Sequence, residues 1–136
     1  MLLSAQILNL YSVNSYEIAQ SAFWTIGDTT SFYLRLVDAS LDRPEQGFYP
    51  AGRRYVPASG STLQVKFNAI TSTVASTKTA VQPFPTLDPS IWRVDITSTD
   101  KFVGSMDLIL VLNEAGTIKN GRVPQAINVH NVVESF

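Results

Sequence analysis

A search for catalysis in this 136-residue chain has to begin at His130, its single histidine. A hydrolytic triad needs a nucleophile, a base and a group that orients the base. Serines and threonines abound, but no G-x-S-x-G elbow presents one. His130 itself falls on the last apolar-alternating stretch and reads as an exposed strand residue. Carboxylates offer two further options. Asp38, Asp42 and Glu45 cluster after one strand and could supply oxygens to calcium; beside Arg43 in a Pro/Gly-rich segment they read as turn formers. Asp88, Asp95, Asp100 and Asp107 could provide the acid and base of a glycosidase. Asp88, however, precedes Pro89 at a turn, and Asp95 and Asp107 take outward strand positions. Zinc needs several His or Cys ligands, and the chain has one His and no Cys. The missing cysteines also remove disulfides and a thiol nucleophile. The seven glycines are scattered singly, so no phosphate-cradling loop is present. The expectation is a non-enzyme without metal or cofactor.

Aromatic side chains are the remaining source of chemistry. Trp24, Tyr33, Tyr49, Tyr55 and Trp92 could form a stacking platform for sugar rings. Trp92 shares parity with Val94 and Ile96, and Trp24 with Ile26, so both tryptophans are expected in the core. Tyr49 and Tyr55 instead flank Arg53 and Arg54 in a long loop. Tyr and Arg are favoured at protein interfaces, which makes Tyr49, Arg53, Arg54, Tyr55 and Val56 the candidate protein-contact surface.

The elements that must position these residues are strands. Phe32, Leu34 and Leu36 alternate with Tyr33, Arg35 and Val37, the first set reading as core and the second as the outer or semi-exposed face. Leu63, Val65 and Phe67 repeat the pattern, as do Trp92, Val94 and Ile96. Met106, Leu108, Leu110 and Leu112 are interleaved with Ile109 and Val111, which predicts a central strand buried on both faces or covered on one by a partner. Gly116 is placed for a positive φ in a three- to five-residue hairpin loop. Pro124 marks the returning strand as an edge or as bulged. Residues 39–60 hold three of the seven prolines and three of the seven glycines, a loop with room for a short edge strand at Arg53–Val56. Lys78–Gln82 reads as a further strand. Residues 1–20 admit a short strand with an irregular arm, or a helical turn around Tyr16–Gln20. The fold class expected is all-β, an antiparallel β-sandwich (Ig-like or jelly-roll-like) of seven to nine strands. It is organised as an N-terminal strand or arm, 1–20, and a single domain, 21–136.

Composition narrows the partners. Charged residues make up 15% of the chain, against ~25% in a typical soluble domain. The formal net charge is −1, without basic or acidic blocks, so neither nucleic acid nor an anionic membrane is an expected partner. The apolar start, Met1 to Leu10, has no basic flank and is interrupted by Gln6 and Asn9, so no leader peptide is expected. No run approaches the ~18 apolar residues of a membrane span.

Several phrases together carry a resemblance: Phe32-Tyr33-Leu34-Arg35-Leu36-Val37-Asp38, a Pro/Gly loop, and Gly60-Ser61-Thr62-Leu63-Gln64-Val65-Lys66-Phe67. Asp88-Pro89-Ser90-Ile91-Trp92-Arg93-Val94-Asp95-Ile96-Thr97 and a hairpin from Leu108 to Val123 complete it. Across roughly residues 20 to 130 the chain resembles small β-sandwich structural proteins of tailed bacteriophages, including the N-terminal domains of baseplate-upper-type proteins and related virion auxiliary proteins. Residues 1–20 have no counterpart in that pattern, and no fibre or coiled-coil segment follows Phe136, which points to a free-standing subunit. The resemblance implies a non-enzymatic virion protein: a capsid decoration or cement protein, a neck component, or a tail or baseplate accessory. It would be made in the host cytoplasm, bind other virion proteins, and form a homo-oligomer. A carbohydrate-binding module or adhesin is the alternative.

Overall fold

The computed structural model describes residues 1–12, 15–19, 21–25, 29–40, 53–69, 75–97 and 104–130. Among the described residues ten strands run in chain order, against the seven to nine expected: β1 (Leu3–Ser12), β2 (Ser15–Ile18), β3 (Ser21–Thr25), β4 (Thr30–Asp38), β5 (Arg53–Arg54), β6 (Thr62–Ala69), β7 (Ala75–Thr79), β8 (Ile91–Ile96), β9 (Gly104–Glu114) and β10 (Thr117–His130). The described residues contain no helix, so the protein is all-β. The strands form one sheet in the order β5-β4-β1-β10-β9-β6-β7, with β2 beside β1, β3 beside β10 and β8 beside β4.

The antiparallel sandwich expected from the alternation is replaced by a single curled, mixed sheet. The cause is the N-terminus. Leu3 to Leu8 are all buried, and β1 lies between β4 and β10 in the sheet rather than forming an arm. It runs antiparallel to β4 and parallel to β10, meeting the latter at Ser4 and Arg122. Its sequence alternates from Leu3 to Ile7 and then changes phase at Leu8 and Leu10, so no single buried face is marked along its length. Ser15–Ile18, within the stretch that admitted a helical turn, is β2 and returns antiparallel along β1. β3 then pairs parallel with β10 from Ser21 and Ala126 to Thr25 and His130.

The curl is read from the aromatic core. Phe67 of β6 lies 6.1 Å from Phe32 of β4 and 6.4 Å from Trp24 of β3, and Trp24 lies 5.0 Å from Phe32. In sheet order β4 and β6 are separated by β1, β10 and β9, so these rings meet only because the sheet folds over on itself, its interior filled by side chains as in a small barrel. The two ends of the sheet are joined at one point. Val81 N–H donates to Arg93 O (3.0 Å) and Arg93 N–H to Val81 O (2.7 Å). The strand expected at Lys78–Gln82 is thus shifted: β7 ends at Thr79, and Val81 makes an isolated bridge to β8.

The inward sets stand as expected. Phe32, Leu34, Leu36, Leu63, Val65, Phe67, Trp92, Val94, Ile96, Met106, Leu108, Leu110 and Leu112 all belong to the core. Val37 departs from the expected semi-exposed face, being fully buried; with Leu8 and Ile91 it lies outside the main cluster. On β9, Ile109 and Val111 are half-buried rather than buried. Ile109 sits in register between Lys66 and Arg122, whose methylene stems can cover it without a partner protein.

Local chemistry fixes the last two strands. The β9–β10 loop is shorter than expected, a two-residue turn at Ala115 (φ 49°) and Gly116 (φ 88°). Two positive φ values make the mirror-image turn whose twist suits a hairpin. Asn113 Oδ1 accepts the Gly116 N–H at 3.0 Å. Pro124 lies where the β9–β10 register shifts, between Val123 and Ile127; a bulge tolerates its missing N–H. β10 is central, not an edge. Where β1 parts from β10, the buried Gln125 fills the fork, its Nε2 donating to Ile7 O (3.3 Å) and Ala19 O (2.9 Å).

Candidate functional site

The parallel pairing of β1 with β10 gives the curled sheet two unlike ends. One carries the β9–β10 turn, the start of β1 and the end of β4. The other carries the end of β1, β2, β3 and the start of β4.

The first end holds most of the expected contact surface. Arg53 and Arg54 form β5, opposite Asp38 and Val37, and both are exposed. Arg54 Nη1 reaches Asp88 Oδ2 at 3.5 Å, a pair whose arginine stays largely in solvent. Val56 is 49% exposed. Tyr55 does not share that surface. Its N–H donates to Leu36 O, and its ring packs against the core. Its hydroxyl donates to Glu114 and accepts from Lys119 Nζ (3.0 Å), which also donates to Glu114 Oε1 at 2.8 Å. Glu114 Oε2 accepts the Ala58 N–H at 3.0 Å. Burial alone would raise the Glu114 pKa, but the bonds from Lys119, Tyr55 and Ala58 outweigh it and hold the carboxyl down at about 2. Tyr55 is pushed up by burial and by its bond to Glu114, and Lys119 by its bonds to Glu114 and Tyr55. This network caps the end of the sheet. Tyr49 lies outside the described residues.

The carboxylates considered for metal or acid–base work have structural employment. Asp38 Oδ1 accepts from Leu2 N–H (3.1 Å) and from Ser40 N–H (3.1 Å) and Oγ (2.6 Å). Asp42 and Glu45 lie outside the described residues, as does Asp100. Asp88 holds Ser90 at a turn through its N–H (3.2 Å) and Oγ (2.6 Å). Asp95 accepts from Ser31 Oγ at 2.6 Å, and Asp107 pairs with Arg122 at 2.5 Å. Among the described residues no cluster of three potential metal ligands occurs. No described helix is long and apolar enough to cross a membrane.

The second end is open. A cleft of about 500 Å³ lies between the end of β1, β3 and the start of β4. It forms because the β1–β4 ladder stops at Leu8 and Tyr33, after which the strands part. Beyond that point β1 pairs with β2 as a hairpin. Tyr16 docks the hairpin by its outer face: Arg35 lies 5.1 Å above the Tyr16 ring and donates to its hydroxyl. Strand alternation puts Asn9 on the face that carries Leu3, Ala5 and Ile7; the β1–β2 register shifts between Leu10 and Ser12, and at that bulge Tyr11 joins Asn9 on a shared acceptor, Glu17. Tyr11 is 69% exposed, and its hydroxyl donates to Glu17 Oε1 (3.0 Å), which also accepts from Asn9 Nδ2 (3.3 Å). The Glu17 bond, reinforced by its charge, raises the Tyr11 hydroxyl pKa. Phe23, 67% exposed, stacks on His130 at 5.9 Å. His130 is exposed, as read from the sequence.

Of the aromatics considered for a sugar platform, Trp92 is core and Tyr55 packs against it, Tyr49 lies outside the described residues, and Trp24, itself a core residue, lines the cleft together with Tyr33. Tyr11 and Phe23 also line the cleft and are not among the sequence candidates: Tyr11 falls in residues 1–20, which admit either a strand or a helical turn, and no pattern singles out Phe23. The detectable signal was the odd-position series Leu3, Ala5, Ile7, Asn9, one face changing from apolar to polar. Comparison with protein-family models, curated proteins and solved structures finds no match to this chain.

Proposed function

We propose that this protein is a non-enzymatic structural subunit of a tailed-bacteriophage particle. It binds other virion proteins as a capsid decoration or cement protein, a neck component, or a tail or baseplate accessory, and acts as a homo-oligomer. The observation that supports this most directly is the β5 edge. A two-residue strand paired to β4 presents exposed Arg53 and Arg54, and Val56 follows them. Exposed strand edges are natural sites for pairing with another chain. Tyr55 anchors the segment from beneath through Glu114 and Lys119, so the contact residues are displayed from a fixed backbone, which limits the ordering cost of association.

A mass-spectrometric inventory of purified particles tests the role, and absence of the chain from mature virions would refute it. The variant Arg53→Ala, Arg54→Ala, Val56→Ala leaves the Tyr55 anchor intact. It is expected to fold normally and to be incorporated at less than a tenth of the wild-type level. Normal incorporation would remove the β5 edge as the contact.

A further inference from the structure

We propose that the open end of the curled sheet is a saccharide-binding cleft, in which the Tyr11 ring receives the apolar face of a pyranose and Asn9, Ser21 and Ser31 receive its hydroxyls. This does not rest on the virion reading, since it uses the opposite end of the molecule from β5.

The mouth of a curled sheet is a common place for a small ligand, and about 500 Å³ falls within the range of such sites. The residues around it select the ligand. Among the described residues the cleft lining carries aromatic rings, aliphatic side chains and neutral polar groups, and no Lys or Arg. Glu17, bonded to Tyr11 and Asn9, adds negative charge at the rim, so an anionic ligand is disfavoured. A purely apolar ligand would strip water from Asn9, Ser21 and Ser31 without replacing its hydrogen bonds, a penalty of roughly 1–3 kcal/mol per group. A neutral molecule with one C–H face and a rim of hydroxyls meets both demands. Aromatic rings suit such a face because they offer broad apolar area with few rotatable bonds.

The site is also held ready. Glu17 fixes Tyr11 and Asn9 together, His130 backs Phe23 by stacking, and Asp95 orients the Ser31 hydroxyl at 2.6 Å. Such fixation reduces the entropy lost on binding.

Trp24 lines the floor of the cleft, 8% exposed, and serves as the reporter. The full chain is titrated with methyl glycosides of glucose, galactose, mannose and N-acetylglucosamine, and with trisaccharides of each, following tryptophan fluorescence. Amide shifts in ¹H–¹⁵N spectra are followed in parallel. At least one sugar is expected to give a saturable response, with shifts at Asn9, Tyr11 and Ser31 and none at Arg53 or Arg54. Tyr11→Ala should weaken that sugar by roughly two- to tenfold, the size of a lost aromatic contact. Its thermal midpoint should stay at the wild-type value, because Tyr11 is largely in solvent. Ser31→Ala, at a second position on the rim, should weaken the same sugar severalfold. A flat response across the whole panel overturns the proposal. So does a response that both variants leave unchanged.

Discussion

The two ends of the sheet are built from the same strands but finished in opposite ways. At the capped end, a tyrosine, a glutamate and a lysine satisfy one another across the opening, with Ala58 N–H as a fourth partner. At the open end, β1 and β4 separate after Leu8 and Tyr33, and the inward face of β1 turns from Ile7 to Asn9. A curled sheet has to leave its ends to something other than strand pairing. Here one end is closed by a polar network that consumes its own hydrogen-bonding capacity. The other also pairs Asn9 and Tyr11 with Glu17 and Ser31 with Asp95, but leaves these groups exposed at the rim of a cleft. Stability is therefore concentrated where the network and the β1–β10 contact lie, and the mouth is left free to change.

The sharpest way to break that contrast is Gly121→Ala. A Cβ at Gly121 would sit 2.3 Å from Leu3 O and 2.8 Å from Leu3 C. Both are backbone atoms, so no side-chain rotation relieves the clash, and β1 would have to move away from β10. Overpacking of this kind costs about 1–3 kcal/mol and sometimes more. The loss should reach the upper part of that range, because the contact sets the parallel pairing on which the curl depends. Denaturant unfolding measures it; a variant as stable as wild type would show that the β1–β10 contact is dispensable.

Next in size is Glu114→Gln. The amide cannot accept from Lys119 and Tyr55 as a carboxylate does, and hydrogen bonds to charged groups contribute about 1.5–3 kcal/mol. A loss of about 2 kcal/mol is expected in denaturant unfolding at pH 7. The pH dependence gives a separate signature. The folded pKa of Glu114, about 2, lies below its ordinary value of 4.5. The folded state therefore favours the charged form, and the stabilisation is fully present above 4.5. It is lost progressively as pH falls from there through about 2. In Glu114→Gln the fall in stability across that window should be shallower than in wild type. Parallel curves would mean the carboxylate titrates alike in both states.

Legibility in the sequence followed the same division. Strands buried on one face announced themselves: β4, β6 and β8 show their inward residues by alternation alone, and Trp92 is in the core for the reason its parity gave. The strand that decides topology was hard to read, since Leu3 to Ile7 alternate but Leu8 and Leu10 take the opposite phase, and polar Ser4 and Gln6 are buried on the face that alternation marks as outward. Without β1 in the middle, nothing indicated that β10 pairs in parallel, and the sheet read as an antiparallel sandwich. The exposure of the β5 segment was legible only in part. Arg53, Arg54 and Val56 are exposed, but Tyr55 belongs to the cap, because its acceptor Glu114 lies 59 residues away and no local pattern signals it. The cleft was missed for a related reason. Tyr11 and Phe23 both line it only through the pairing of β1 with β2 and of β3 with β10.

The smallest expected effect lies in the turn that carries the capped end. Ala115 holds φ at 49°, in the left-handed region where a Cβ crowds the following carbonyl and costs roughly 1–2 kcal/mol. Glycine removes that crowding but gains freedom in the unfolded chain, which returns about 0.4–1 kcal/mol. Ala115→Gly should therefore stabilise the protein by about 0.5 kcal/mol. The gain should be visible as a higher denaturant midpoint at unchanged slope. Nothing at the mouth should respond, since Ala115 lies at the far end of β9 and β10 from Phe23 and His130. A lower midpoint would mean that the turn depends on the alanine side chain. A changed saccharide response at the cleft would mean that the two ends are coupled through the strands they share, and the division between a stabilising end and a binding end would no longer hold.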